Sequence, residues 1–297
     1  MTVQSSLDRG DRVALMGMGA MGAPMARRLL DHGYDLAVWN RTTPRAEPLA
    51  RYGAIVYEHA SDAAASADVV VTILETGDAV ESVLFDRGVA DALTRGATVI
   101  DMSSIAPKVA RDHADRLGRR GINHLDAPVS GGTRGAAEGT LAIMIGGDAK
   151  LFERWSELMS VFGSPTFVGP SGAGQITKLA NQIIVGTTIG AVAEALTLAQ
   201  EGGVDPGVVI DALRGGFAHS RILREHGRRM IESDFEPGAA SRIQLKDMVN
   251  ALDAADDMGL ELRITSVVEG LYEEFCAGGG AEFDHSGLFL EIGKRRP

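Results

Sequence analysis

Cysteine is all but missing from this chain: Cys276 is the single one in 297 residues. An internal disulfide is therefore excluded, and such usage suits a reducing, cytoplasmic compartment. Cys276 itself reads as a packing residue rather than a nucleophile. No basic block stands out, and the formal net charge is −11, which argues against a nucleic-acid partner. Local rather than net charge decides whether a phosphorylated small molecule can bind. The tail Lys294-Arg295-Arg296 is too short to change this. Residues 1–11 are polar, lack a signal-peptide core and are expected to form a flexible arm. No apolar run reaches the length of a membrane span, since the most apolar stretch, 183–198, is broken by Glu194. The histidines at 32, 59, 113, 124, 219, 226 and 285 show no zinc-like spacing, so no metal site is expected. Repeats and low-complexity linkers are absent too.

What is present is a change of pattern part-way along. The first half alternates short apolar runs with amphipathic stretches. Strands are predicted over 12–18, 35–40, 54–57, 68–74, 98–101, 123–127, 141–146 and 164–168. Helices are predicted over 25–30, 45–52, 78–85, 108–120 and 149–162. Strands of this length separated by helices indicate a doubly wound parallel sheet. After Gly169-Pro170-Ser171-Gly172-Ala173-Gly174 no convincing strand follows. Instead the pattern predicts one long helix over 175–201, then helices over 206–213, 220–233, 243–258 and 264–277. The expected organisation is an α/β nucleotide-binding domain over 1–170 and an all-α domain over 171–297, joined through the long helix. A helix apolar on most faces suits burial between domains or subunits. Asp256-Asp257 reads as a solvated helix face.

Gly17-Met18-Gly19-Ala20-Met21-Gly22 lies between the first predicted strand and the first helix. In that context Gly17 permits a tight turn, Gly19 lets a pyrophosphate approach the backbone, and Gly22 lets helix and strand pack closely. The pyrophosphate then sits at a helix N-terminus, where free N–H groups and the dipole favour an anion. The alternative is a glycine-rich turn with no ligand. The second strand ends on Asn40-Arg41-Thr42 rather than on the acid that contacts a ribose 2′-hydroxyl. An arginine offers planar donors to a 2′-phosphate that a carboxylate would repel. NADP(H) is thus favoured over NAD(H), unless Arg41 is simply a solvated surface residue.

Three further groups of residues suggest chemistry. Asp126-Ala127-Pro128-Val129-Ser130-Gly131-Gly132 can expose successive backbone N–H groups beside a hydroxyl, a nest for a small carboxylate; it could also be a plain turn. Asp101-Met102-Ser103-Ser104 ends a strand, where doubly wound sheets bind ligands; the serines could equally be helix caps before Pro107. Lys178 and Gln182 share one face of the long helix with Asn181 beside them. A lone lysine on an apolar helix is usually a snorkelling surface residue. Carbonyl reduction, however, needs a proton donor near the developing alkoxide, and lysine can serve.

Residues 17–25, 126–132 and 172–182 and Lys246-Asp247 resemble the β-hydroxyacid dehydrogenase family, in its 3-hydroxyisobutyrate dehydrogenase-like form, along essentially the whole chain. The stretches 101–107, 177–185 and 194–199, with Arg214-Gly215-Gly216 and Asp284-His285-Ser286, are similar to the branch that reduces tartronate semialdehyde. The resemblance implies that Lys178 is the catalytic residue and that Ser130, Gly131 and Gly132 hold the substrate carboxylate. It implies that Asn181 and Gln182 orient the substrate, and that Leu74, Ser103 and Lys246 lie with the cofactor. His285 is implied to be a loop residue or an active-site neighbour. A homodimer or homotetramer paired through the helical domain is implied, with no membrane partner.

The implied reaction interconverts a small aldehyde acid and its hydroxy acid, such as tartronate semialdehyde and glycerate. Relatives acting on 3-hydroxyisobutyrate, threonate, succinic semialdehyde, glyoxylate or sulfolactaldehyde keep the side chain open. Imine reductases share the architecture but typically replace the lysine. A cofactor-binding interaction protein without turnover is a further alternative, opposed by intact Lys178, Ser130 and Lys246. Two departures from the family are Asn40-Arg41, and Ile73-Leu74-Glu75-Thr76, which puts an acid near the cofactor.

Overall fold

The computed structural model describes residues 10–294. The flexible arm expected over 1–11 lies almost wholly outside them, as do Arg295 and Arg296. The chain divides into two compact units, Met1–Lys178 and Leu179–Pro297, the division falling inside the long helix.

Among the described residues the first unit has nine strands: β1 (Val13–Met16), β2 (Leu36–Trp39), β3 (Ile55–Val56), β4 (Val69–Thr72), β5 (Thr98–Asp101), β6 (Asn123–Asp126), β7 (Val129–Ser130), β8 (Leu141–Gly147) and β9 (Gly163–Gly169). Its helices are α1 (Gly22–Asp31), α2 (Ala60–Ala64), α3 (Gly77–Glu81), α4 (Val89–Ala92), α5 (Pro107–Arg119), α6 (Gly132–Glu138) and α7 (Ala149–Ser160), followed by the start of α8 (Ala173–Glu201). The sheet order is β3-β2-β1-β4-β5-β6-β8-β7, with β9 on β8. From β3 to β6 all pairings are parallel. Strand order reverses between β1 and β4, and the crevice outside the carboxyl ends of strands at such a switch point is where these sheets bind ligands.

Alternation along the strands builds a core on each face of this sheet. Val13 and Leu15 join one cluster with Val69, Val71 and Ile100. Ala14 and Met16 join the other with Val70 and Val99. Burial on both faces is why these strands read as continuous apolar runs rather than as polar–apolar alternation.

The far edge differs from the parallel expectation. β8 runs antiparallel to both β6 and β7, and β7 is too short to leave a periodic signal. The segment 45–52 is not an α-helix but two 3₁₀ turns, Thr43–Arg45 and Glu47–Tyr52, each opened by a proline that has no N–H to donate. The helix predicted over 78–85 passes after Glu81 into a π turn, Ser82–Asp86.

The second unit contains most of α8, then α9 (Pro206–Ala212), α10 (Arg221–Glu232), α11 (Ser241–Asp257), α12 (Arg263–Phe275) and α13 (Leu288–Ile292). Ile189 and Leu196 of α8 pack with Leu223, Met248, Tyr272 and Leu288. By length and composition alone α8 could cross a membrane, contrary to the expectation from sequence: it has 29 residues and a window of mean hydropathy 1.5. It also buries Gln175, Lys178 and Gln182, while 39% of that window as a whole is buried.

Candidate active site

The glycine turn closes the C-terminal end of β1. Gly17 has φ +109°, and a Cβ there would fall 2.3 Å from the Ile73 carbonyl oxygen. A Cβ on Gly22 would fall 1.7 Å from the Gly17 carbonyl oxygen, so helix and turn touch backbone to backbone. Gly19, by contrast, faces open space within 4 Å. Met21 precedes α1 and supplies no side-chain cap, and the Ala23 N–H donates to the Gly19 carbonyl at 3.1 Å. Met18 N–H donates to Asn40 Oδ1 at 2.9 Å, and Asn40 Nδ2 donates to the Thr42 carbonyl at 2.8 Å. Asn40 therefore ties the glycine turn to the loop after β2. Arg41 and Thr42 are exposed, and Arg41 has no ion pair among the described residues.

The ends of β4 and β5 are joined by Ser103. This residue is fully buried. Its Oγ accepts the Leu74 N–H at 2.9 Å, and its own N–H donates to Asp101 Oδ1 at 3.0 Å. Neither Ser103 nor Ser104 caps α5; Ala106 holds that position. Glu75 is exposed in the turn before α3. Asp101 also accepts from Thr72 Oγ1 at 2.7 Å, while its Oδ2 is buried with no hydrogen bond. Burial pushes the Asp101 carboxyl up to about 6, against lowering by the Ser103 and Thr72 bonds, and the charge of Asp126 adds to the rise. An acid whose folded value is raised loses stability as it ionises, here between its ordinary 3.8 and about 6. The expected size is on the order of 2–3 kcal/mol. Denaturant titrations at pH 4 and pH 7 should show that much less of a fall in Asp101→Asn than in the unmodified chain; an identical fall in both refutes the assignment.

Ser130 ends β7, and Gly131 and Gly132 lead into α6, all three half-buried. Gly131 has φ +138° and Gly132 +64°, conformations that a residue with a Cβ rarely adopts. Asp126, first of that motif, does not face a turn of its own: its Oδ1 accepts Gly172 N–H at 2.8 Å and its Oδ2 accepts Gln175 N–H at 3.0 Å. Burial raises its carboxyl, and these amides partly offset the rise. Asp126 thus caps α8 from the end of β6. Lys178 follows one turn later and is only 7% exposed, which excludes the snorkelling surface role.

In the second unit Gln182 is buried and committed to its neighbours. Its Nε2 donates to Asp247 Oδ2 at 2.8 Å and to Gln244 Oε1 at 3.2 Å, and its Oε1 accepts from Asn181 Nδ2 at 2.9 Å. Lys246 Nζ lies 3.1 Å from Asp247 Oδ1. Asn181, Gln182 and Lys246 are therefore brought together through Gln244 and Asp247. The histidines are less scattered than their spacing suggests. His226 and His285 approach to 3.3 Å between Nε2 atoms, and with Asp284 they place metal-ligand atom types within 4.8 Å of one another. The Asp284 carboxylate is already engaged by Arg229 Nη1 at 2.9 Å and by Ser286, Gly238 and Ala239. Burial would raise that carboxyl, but the His226 ring 3.6 Å away, the charge of His285 and the bonds from Ser286 hold it well below the ordinary range.

Residues 12–174 match the family described as the NAD binding domain of 6-phosphogluconate dehydrogenase. Residues 172–290 match the NAD-binding family of NADP-dependent 3-hydroxyisobutyrate dehydrogenase. The chain is 42% identical to the 2-hydroxy-3-oxopropionate reductase of Escherichia coli K12, over 93% of this chain and 95% of that one. It belongs to the 3-hydroxyisobutyrate dehydrogenase-like β-hydroxyacid dehydrogenases. Among solved structures, 3-hydroxyisobutyrate dehydrogenase of Mycobacterium tuberculosis, with L-serine, superposes at TM-score 0.88 and 30% identity over 95% of this chain and 99% of that one. An imine reductase from Pseudomonas reaches TM-score 0.61 at 22% identity, covering 95% and 99% of the two chains; that likeness is of fold alone.

As a β-hydroxyacid dehydrogenase the chain is an NAD(P)-dependent oxidoreductase acting on hydroxy acids. The residues present fit a pyridine nucleotide: open space at Gly19, between two glycines whose missing Cβ atoms permit backbone contact, is the cradle a pyrophosphate needs. The roles of Asp126, Gln175 and Gln244 were not legible in the sequence. A buried carboxamide on an apolar helix has no spacing signature. Only the partners at 103, 105 and 182 identify it.

Proposed function

We propose that this dehydrogenase interconverts a small aldehyde acid and its hydroxy acid, with tartronate semialdehyde and glycerate as the favoured pair and NADP(H) preferred over NAD(H). One observation carries the reading: an ammonium group, that of Lys178, is buried on an apolar helix one turn from an N-terminus capped by the end of β6. Burying a charged group is costly, so such placement points to use. The dinucleotide, when bound, supplies or accepts the hydride. Lys178 Nζ gives a proton to the carbonyl oxygen as it becomes an alkoxide, and in the opposite direction neutral Lys178 takes the hydroxyl proton. Ser130 Oγ and the amides of Gly131 and Gly132 hold the carboxylate. Asn181, three residues along the same helix, orients the substrate; Gln182, already bonded to Asp247 and Gln244, steadies Asn181. The 42% identity to a 2-hydroxy-3-oxopropionate reductase supports the choice of acid.

A panel of small aldehyde acids and their neutral esters, followed by NADPH oxidation, tests this. Tartronate semialdehyde should show the highest kcat/KM, ahead of succinic semialdehyde and glyoxylate, and esters should react poorly. Esters turned over as fast as acids would remove the carboxylate role from Ser130–Gly132.

A homodimer or homotetramer paired through the helical unit belongs to the same reading. Its support is the exposure of large apolar residues on α8, Ile184 at 64% and Leu198 at 76%. Light scattering should give at least twice the 31.3 kDa chain mass, and a monomer at micromolar concentration would rule it out. The single, half-buried cysteine supports a cytoplasmic location.

A further inference from the structure

We propose that Gln175 is a positioning residue for Lys178: with Asp126 it sets the rotation and depth of the helix that carries the lysine. The proposal rests on the reading of Lys178 as proton donor.

Gln175 is fully buried, and both ends of its carboxamide are used. Oε1 accepts the Ile105 N–H at 3.1 Å, and Nε2 donates to the Ser103 carbonyl at 2.9 Å. Its backbone N–H goes to Asp126 Oδ2, while Asp126 Oδ1 takes the Gly172 N–H. Four hydrogen bonds therefore tie the first turn of α8 to the ends of β5 and β6. The set continues outward: Ser103 Oγ accepts the Leu74 N–H, and Asp101 accepts from Ser103 and Thr72. Lys178 is thereby referenced to the carboxyl ends of β4, β5 and β6, the side of a doubly wound sheet where ligands bind.

A carboxamide has its donor and acceptor in one plane at fixed separation. Matching it to a carbonyl at 103 and an amide at 105 admits one rotation of the helix. Lys178 lies three residues on, about 4.5 Å along the axis and some 60° from the direction of Gln175. A helix free to turn or slide by part of a residue would move Nζ by more than proton transfer tolerates. The helix also packs backbone to backbone there, since a Cβ on Gly174 would lie 2.5 Å from the carbonyl oxygens of Asp126 and Met144. Hydrogen bonds between neutral groups add little net stability; what this fork adds is orientation.

The test is a double-mutant cycle on the full chain. Gln175→Met keeps the volume and removes both bonds. A misplacement of about 1 Å costs roughly 100-fold in rate. Gln175→Met should therefore lower kcat about 10–100-fold, leave the NADPH dissociation constant unchanged, and displace whichever limb of the pH–kcat profile disappears in Lys178→Ala. In a Lys178→Ala background the same change should cost less than about twofold, because residues acting through one another are not additive. Should Gln175→Met not fold, Gln175→Asn, which withdraws the amide by one methylene, carries the same expectations. Equal losses in both backgrounds, or an unmoved pH limb, make Gln175 merely structural and overturn the proposal. A normal kcat for Gln175→Met beside a crippled Lys178→Ala overturns the positioning role alone. A Lys178→Ala enzyme at full rate overturns the proton-donor reading and this one with it.

Discussion

Lys178→Ala should lose kcat by at least about 10²–10⁴, the usual worth of general acid–base assistance. The loss has two physical parts. A lysine cation stabilises the developing alkoxide before any transfer, and it then supplies the proton itself. Alanine removes both and leaves an apolar gap where Lys178 is 7% exposed. NADPH should still bind with unchanged affinity, because the glycine turn and Arg41 belong to other elements. Lys178→Arg should not rescue, since a guanidinium gives up its proton too reluctantly and is planar where an ammonium is compact. Steady-state kinetics with tartronate semialdehyde, and fluorescence titration of NADPH, separate the two effects. Near-normal kcat in Lys178→Ala would make the lysine structural.

Arg41→Asp should reverse or abolish a preference for NADPH over NADH. In the unmodified chain Arg41 is exposed at the end of β2, with no ion pair among the described residues to compete for it. Asn40 is bonded to Met18 and Thr42 and so holds the loop; in the proposed reading Arg41, assisted by Thr42 or Asn40, would meet a 2′-phosphate. A charge-assisted contact is worth about 1.5–3 kcal/mol, or tenfold to a hundredfold in discrimination. The aspartate adds repulsion toward the phosphate, while it can accept a hydrogen bond from a free 2′-hydroxyl. The ratio of kcat/KM for the two cofactors is the measurement. Equal efficiency with both before mutation would sink the proposal.

The parts of this protein that were readable in the sequence are those whose causes are local. Residues 17 to 22 form their turn because Gly17 must take a positive φ and Gly22 must let backbones touch, and both demands appear as letters at fixed spacing. The parallel strands were visible because burial on both faces demands aliphatic runs such as Val69-Val70-Val71. The end of the sheet and the start of the helical array showed as a run of glycines followed by a change of period.

Other features depend on partners far away in the chain. β7 exists because β8 offers Ile143 and Ala142 as antiparallel neighbours, and two residues carry no period. The segment 45–52 has helical letters, but Pro44 and Pro48 turn it to 3₁₀ geometry.

By itself, then, the sequence determined the doubly wound sheet, the glycine turn and the run of helices from α8 to α12, because backbone sterics and hydrophobic periodicity act over a few residues. Tertiary structure alone decided the rest. It made Ser103 a buried tie instead of a helix cap and Asp126 the cap of α8. It gathered His226, Asp284 and His285 into one cluster, and it put Gln175 between the ends of two strands. Each of these is a polar group that must find its hydrogen-bond partner once water is excluded, and no local rule names a partner 46 to 72 residues away.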